Sequence, residues 1–423
     1  MSAVPESPIV LSFEEARHLV EEHAAKLRPR GKELTPLLGA VGMILAEPVF
    51  ADRDFPPFHR AARDGYALRA ADVQNIPATL QIIGEIKAGA RENSAMRIET
   101  GQAASIMTGA PAPSGADAVV MVEHTSRTDD KRVEIGRTIS SGDNIVPAGS
   151  EAKRGDRLLS QGTRLDHAAI GVAASVGRAH LLVYSKPRIA ILATGDELVD
   201  VSAKPGPTQI RNSNGYSLAA QIQAAGGEPV LLPIARDETS RLRELIADGL
   251  EADLLLISGG VSMGKYDLVE QVLKEFDTEF FFTSVKIQPG RPAVFGRVPC
   301  GAGAPARDGT STGYFFGLPG NPVSTMVTFE LFARPMIEAL AGMSPRKLIF
   351  LHAKSKSEIK TKTGLKRFLP AILSGEFEHA EVELAGWQGS GDIAATARAN
   401  CYVVISPDRE RIGAGEWVSV MLR

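Results

Sequence analysis

Three glycine-rich turns and a group of carboxylates carry most of the chemistry this sequence can do. Thr194-Gly-Asp-Glu197, Ser258-Gly-Gly-Val-Ser-Met-Gly264 and Gly317-Leu-Pro-Gly-Asn-Pro322 are polar turns at the ends of predicted strands. Glycine lets backbone N–H groups approach a phosphate, and a helix N-terminus behind the turn adds positive potential. One such turn is equally well a tight strand-to-helix connection. Three on one predicted sheet edge point to an anionic-ligand site built by Thr194, Gly195, Asp196, Ser258, Gly259, Gly260, Ser262 and Gly264. Asp196, Glu197, Asp237 and Asp267 crowd the same edge. Carboxylates beside a phosphate repel it unless a divalent cation lies between them, and Mg²⁺ typically takes one or two carboxylates plus phosphate oxygens. Asp237 and Asp267 also read as helix caps. Arg291 follows Pro289-Gly290, just after the strand holding Lys286; it suits a bidentate oxyanion clamp or a surface ion pair. Asp64-Gly-Tyr and Thr108-Gly-Ala-Pro fall in turns, and spacing alone assigns them nothing.

Other chemistries find no support. There is no P-loop lysine pattern, no dinucleotide GxGxxG after a strand and no nucleophile-elbow serine. The eight histidines show no HExxH-type spacing, so a catalytic zinc is not expected.

The elements that must position these residues fall into four textures. Ser12-Phe-Glu-Glu15 is a capping box opening an amphipathic helix over residues 12 to 28. Short apolar runs separated by Gly, Pro and Asp predict a β-rich module over about 52 to 145. A small apolar helix is expected over 165 to 177. Residues 188 to 341 alternate strands and helices, which predicts a parallel sheet with right-handed crossovers. In it, Asp237 is expected to cap a helix running to about 250, and Pro322 to open a helix kinked near Pro335. Period-two patterning returns after Gly342 and predicts a small all-β domain of about 80 residues.

Composition sets the outer limits. The 423 residues carry 47 Lys+Arg against 50 Asp+Glu, a net charge of −3, so no basic excess invites nucleic acid. The apolar runs are far too short for a membrane span, and no secretory signal is expected from the first residues. Two cysteines, Cys300 and Cys401, cannot build a disulfide framework, which suits a reducing cytoplasm.

The motifs together resemble one family. Asp64-Gly-Tyr-Ala, Thr108-Gly-Ala-Pro with Gly115-Ala-Asp-Ala-Val-Val-Met-Val-Glu123, Thr194-Gly-Asp-Glu-Leu198, Asn212-Ser-Asn-Gly215, Ser258-Gly-Gly-Val-Ser262, Gln288-Pro-Gly-Arg-Pro292 and Gly317-Leu-Pro-Gly-Asn-Pro-Val-Ser324 are similar, in order, to motifs of the molybdopterin molybdenumtransferases. These are the MoeA proteins, related to the E domain of gephyrin. The resemblance implies a multi-domain α/β plus β fold. Domain I would comprise 1–51 and 146–182, the inserted β-rich domain II 52–145, a MoaB/MogA-like parallel-sheet domain III 183–345, and a C-terminal β-barrel domain IV 346–423. It implies an elongated homodimer that inserts molybdate into adenylylated molybdopterin, releasing AMP with the aid of Mg²⁺. Molybdopterin adenylyltransferase and molybdoenzyme chaperones are the protein partners it suggests. Asp237 and Asp267 would stand near the phosphates and Mg²⁺, with Glu197 on the same rim, making Glu197, Asp237 and Asp267 the metal-side acids. Pro319 and Pro322 would shape the pocket. Arg291, Arg367 and Ser390 would hold molybdate, while Asp64 and Thr108 would reach the partner subunit's site.

The sequence departs from the family at three places. Ala61 and Arg63 stand where many members have Ser-x-Met before Asp-Gly-Tyr. Gln288-Pro-Gly-Arg291 replaces Lys-Pro-Gly-Lys, removing one cation; Lys286 shares the face of Gln288 if the strand is regular. Val146-Pro-Ala-Gly-Ser-Glu151 lacks an arginine cluster that some members carry, with Glu151 at the place of an Asp. The rival functions are a molybdopterin adenylyltransferase, which would resemble domain III alone, and a non-catalytic scaffold. Tungstate is not distinguished from molybdate.

Overall fold

The computed structural model describes residues 8–89, 96–260, 268–299, 312–344, 347–376 and 379–423. By internal contacts the chain divides into two compact units. One comprises Glu47–Gln161 and His167–Ala179; the other comprises Met1–Ala46, Gly162–Asp166 and His180–Arg423.

The first unit is built on a six-stranded sheet. Its order is Ala118–Met121, Gly65–Leu68, Gln102–Ile106, Ala78–Ile86, Arg132–Ile135, Thr125–Asp129. Period-two alternation sends Tyr66, Leu68 and Val120 to one buried cluster and Ala67 and Val119 to the other, so both faces are covered. The chain enters and leaves this module through adjacent antiparallel strands. Val49–Phe50 pairs with Arg157–Leu159, and Arg60–Ala61 pairs with Ile145–Val146.

The second unit contains a six-stranded sheet ordered Glu228–Leu231, Arg188–Ala193, Leu254–Ser258, Thr312–Leu318, Val294–Pro299, Glu279–Phe282. The first four strands are parallel, as the alternation of strands and helices predicts. Val294–Pro299 runs antiparallel to its neighbours on both sides, Thr312–Leu318 and Glu279–Phe282, so the sheet is mixed with one reversed strand. The all-apolar strands are explained by burial on both faces. Ile189, Ile191, Leu254 and Leu256 face a core shared with helices Phe13–Ala24, Ser213–Ala224 and Pro322–Thr328. Ala190, Leu192, Leu255 and Ile257 face helices Thr239–Leu250 and Leu268–Lys274.

Helix Phe13–Ala24 starts as expected: the Ser12 hydroxyl accepts from Glu15 N–H, and the Glu15 carboxylate accepts from Ser12 N–H. It ends at Ala24, short of 28. The helix opened by Pro322 carries a π segment, Phe329–Ala333, before continuing as Arg334–Leu340. Pro335 has no N–H to give to the Leu331 carbonyl. Arg17 Nη1 takes that oxygen instead, at 2.6 Å.

The C-terminal region closes into a five-stranded barrel. Lys366–Ser374, Glu381–Leu384, Phe350–Ser355, Trp417–Leu422 and Cys401–Ile405 pair in sequence, and Cys401–Ile405 pairs back onto Lys366–Ser374. Ala353, Leu369, Val382, Val403 and Val420 fill it. Ile287–Gln288 adds to its rim, with Gln288 directly opposite Arg367. Among the described residues, no helix is long and apolar enough to cross a membrane.

Candidate functional site

The parallel register brings the three strand-end turns to one level. Ala193 lies opposite Ser258, and Ser258 opposite Leu318. Backbone bonds tie the turns together: Thr194 N–H donates to Ser258 O, Gly195 N–H to Ala235 O, and Gly259 N–H to Leu318 O. Between them opens a cavity of about 630 Å³. Thr194, Gly195, Glu197, Asp237, Ser258, Gly259, Gly260, Pro319 and Pro322 line it. Ser262, Gly264 and Asp267 lie outside the described residues.

Glycine is required at 259 and 260. Their φ values are +92° and +63°. A Cβ at 259 would fall 2.6 Å from the Thr194 carbonyl oxygen, and one at 260 would fall 2.8 Å from the Thr194 hydroxyl. The bare backbone therefore leaves the Thr194 hydroxyl uncrowded. That oxygen is buried and has no hydrogen-bond partner among the described residues. Asn214, on helix Ser213–Ala224, ties two of the turns together. Its amide donates to Ser258 Oγ at 2.9 Å and to Gly320 O at 2.7 Å, fixing the carboxamide, while its Oδ1 is buried without a partner among the described residues. Buried polar atoms of this kind call for an explanation, and a bound ligand or ordered water is the usual one.

Asp237, on the acidic side of the cavity, is not a helix cap. Helix Thr239–Leu250 starts after Glu238, whose side chain makes no capping bond. Asp237 precedes that cap position, and its own N–H donates to Asp196 Oδ1 at 3.2 Å. The expectation that Asp237 caps this helix is therefore corrected. Partial burial, and then the carboxylates of Asp196 and Glu197, push the Asp237 carboxyl above its ordinary value. Among the described residues, no three His, Cys, Asp or Glu side chains could hold a metal between them. A Mg²⁺ completed by phosphate oxygens does not require three protein ligands, so Glu197 and Asp237 remain a fitting pair for one.

None of the residues singled out for oxyanion binding lines the cavity, though Arg291 and Ser390 adjoin the lining residues Pro292 and Gly391. Arg367 is buried, at 6% exposure, and donates to Leu365 O at 3.1 Å. No carboxylate pairs with it among the described residues, and burial pulls its pKa down. Gln288 stands opposite Arg367 in register. Lys286 and Gln288 are exposed on either side of buried Ile287, as a regular strand requires. Arg291 is exposed; its carbonyl is held by Val285 N–H and Ser284 Oγ. The Ser390 carbonyl accepts from Val323 N–H, beside the lining residue Gly391.

Asp64 and Thr108 belong to the other unit and are brought together there. Asp64 Oδ1 accepts from Thr108 N–H at 2.6 Å and from the Thr108 hydroxyl at 2.8 Å. These bonds hold the Asp64 carboxyl below its usual range. Asn214 and Arg211 are among the lining residues that motif reading did not single out. Asn214 sits inside a quoted motif, but only the fold shows its amide reaching two other turns.

Comparison with known proteins places this geometry. Three family descriptions match in order: the MoeA N-terminal region (domain I and II) over 11–177, a probable molybdopterin binding domain over 190–339, and the MoeA C-terminal region (domain IV) over 352–422. The chain is 35% identical to a molybdopterin molybdenumtransferase of Nostoc sp., over 92% of this chain and 88% of that protein. It is 33% identical to molybdopterin molybdenumtransferase 1 of Mycobacterium tuberculosis, over 95% and 98%. Its fold is similar to the crystal structure of a molybdopterin biosynthesis moeA protein from Pyrococcus horikoshii, with a TM-score of 0.73 and 27% identity, covering 98% of this chain and 100% of that one.

Proposed function

The chain belongs to the molybdopterin molybdenumtransferase family, a family of transferases in molybdenum cofactor biosynthesis, and from that premise we propose that it inserts molybdate into adenylylated molybdopterin with release of AMP. The observation that carries this reading is the cavity at the carboxyl edge of the parallel strands, with the raised Asp237 carboxyl beside Asp196 and Glu197. The lining acids Glu197 and Asp237, facing a phosphoanhydride, are tolerable only with a cation between them and it. Asp237 and Glu197, with Asp267, would hold Mg²⁺. That ion would neutralise the phosphate charge and orient the attacking oxygen. The backbone of Gly195, Gly259 and Gly260 lets the ligand approach closely, and Pro319 and Pro322 stiffen the far wall.

Arg367, Ser390 and Arg291 would receive molybdate. A buried guanidinium without an acid partner suits a tetrahedral dianion, which repays its desolvation. The atoms balance at constant Mo(VI): the dithiol gives up two protons as its sulfurs bond molybdenum, one molybdate oxygen leaves as water or attacks the phosphoanhydride, and the P–O–P bond, opened by that oxygen or by water, gives a phosphate on the pterin and AMP. We further propose the four-domain division set out above, a homodimer in which Asp64 and Thr108 complete the partner subunit's site, and residence in the cytoplasm.

The test is turnover of adenylylated molybdopterin with molybdate or tungstate, with and without Mg²⁺, reading AMP and bound metal. AMP release that needs both the oxyanion and Mg²⁺, with metal retained on the pterin, is the expected result. ATP consumption with bare molybdopterin would mark an adenylyltransferase instead. Binding without turnover under every condition would mark a scaffold.

A further inference from the structure

We propose that Arg211 anchors a phosphate of the substrate in the strand-end cavity. This deepens the reading of the substrate as nucleotide-linked and rests on it. Among the described lining residues, Arg211 is the sole cation; the other charged groups there are the acids Glu197 and Asp237. Its position is built. Ile210–Arg211 pairs in parallel with Leu198–Val199, the short strand that leaves the Thr194–Glu197 turn. Asn212 then caps helix Ser213–Ala224, accepting from Gly215 N–H at 3.0 Å. Arg211 thus stands at the entrance of a helix whose N-terminus attracts anions.

Its side chain is fixed at one end only. Nε donates to Ala203 O at 3.0 Å, which orients the guanidinium plane. No carboxylate pairs with it among the described residues, so its two terminal nitrogens remain as a fork for a planar pair of oxygens. The acids Glu197 and Asp237 need a cation before they accept a phosphate, whereas Arg211 accepts one directly. The substrate is thereby polarised, with a phosphate toward Arg211 and the metal-side acids.

The experiment uses the full chain with AMP and inorganic pyrophosphate as probes by calorimetry, and unsubstituted pterin as a phosphate-free probe by fluorescence. Arg211→Ala is expected to weaken AMP and pyrophosphate binding by about tenfold or more while pterin binding stays unchanged. Arg211→Lys should recover part of the loss, because it restores the charge without the fork. AMP affinity within about twofold of wild type in Arg211→Ala overturns the assignment. Equal loss of pterin binding also overturns it, since Arg211 would then only order the Ala203 loop. A wild-type chain that binds neither AMP nor pterin defeats the functional reading itself, before any variant is made, and the phosphate anchor with it.

Discussion

A carboxylate surrounded by carboxylates resists ionisation, and Asp237 is the residue in which this protein shows that conflict. Its pKa is raised in the folded state by burial and by Asp196 and Glu197. The folded chain therefore holds that proton more tightly than the unfolded chain does. The stability this contributes is present at low pH and is lost as pH rises from the ordinary carboxylate value through the raised one. Asp237→Asn removes the conflict. Its melting temperature should exceed that of wild type at pH 7 and converge with it near pH 3, while AMP release falls by at least ~10²-fold. Unchanged melting at pH 7 would show that Asp237 is not strained, and turnover within a few-fold of wild type would show that it is not catalytic. Asp64 has the opposite sign, because its carboxylate is stabilised by two bonds from Thr108. The sequence already names both acids. It cannot show that one is crowded and the other well satisfied, because those neighbours arrive from 41 and 44 residues away.

At the scale of elements, the strand-end turns were legible because glycine, proline and acidic residues punctuate apolar runs. The pairing of those runs was not. The two strands that complete the sheet by antiparallel pairing, the reversed Val294–Pro299 and the edge strand Glu279–Phe282, look locally like any other apolar strand. The interruption near Pro335 was expected from proline geometry, but its relief was not, since Arg17 lies 314 residues from Leu331. Arg17→Ala should strand a buried carbonyl and destabilise the chain by about 2 kcal/mol, read from denaturant melts. An effect below about 0.5 kcal/mol would mean that the π segment satisfies Leu331 by itself. The barrel rim offers a sharper case. Gln288 faces Arg367 across a two-residue parallel pairing. Gln288→Lys should lower the molybdate concentration needed for turnover and leave pterin affinity alone. Arg367→Met should raise the requirement while raising the melting temperature, because a buried unpaired cation is costly and a methionine there is not. No change in either variant would move the oxyanion elsewhere, with Lys286 as the first group to examine.

At the scale of the molecule, the β-rich texture was legible, and its six-stranded sheet lies between the strand pairs through which the chain enters and leaves. The paired strands at those two crossings give the physical reason an insertion can fold there. Barrel closure was not legible, because Cys401–Ile405 must return to Lys366–Ser374 across strands that each look like ordinary edges. The proposed division of labour between the units can be tested without knowing how they are arranged. Asp64 lies in one unit and Asp237 in the other. If each site takes Asp64 from one subunit and Asp237 from the other, chains carrying Asp64→Ala and chains carrying Asp237→Ala should complement each other. A mixed dimer then has one site with both defects and one with neither. Random reassociation makes about half the dimers mixed, so about a quarter of all sites should be intact. If each site is built within one chain, every site keeps one defect and mixing restores nothing. The expected result is AMP release near a quarter of wild type after co-refolding two individually inactive variants. Background activity, with mixed dimers confirmed by two affinity tags, would assign both acids to the same chain's site.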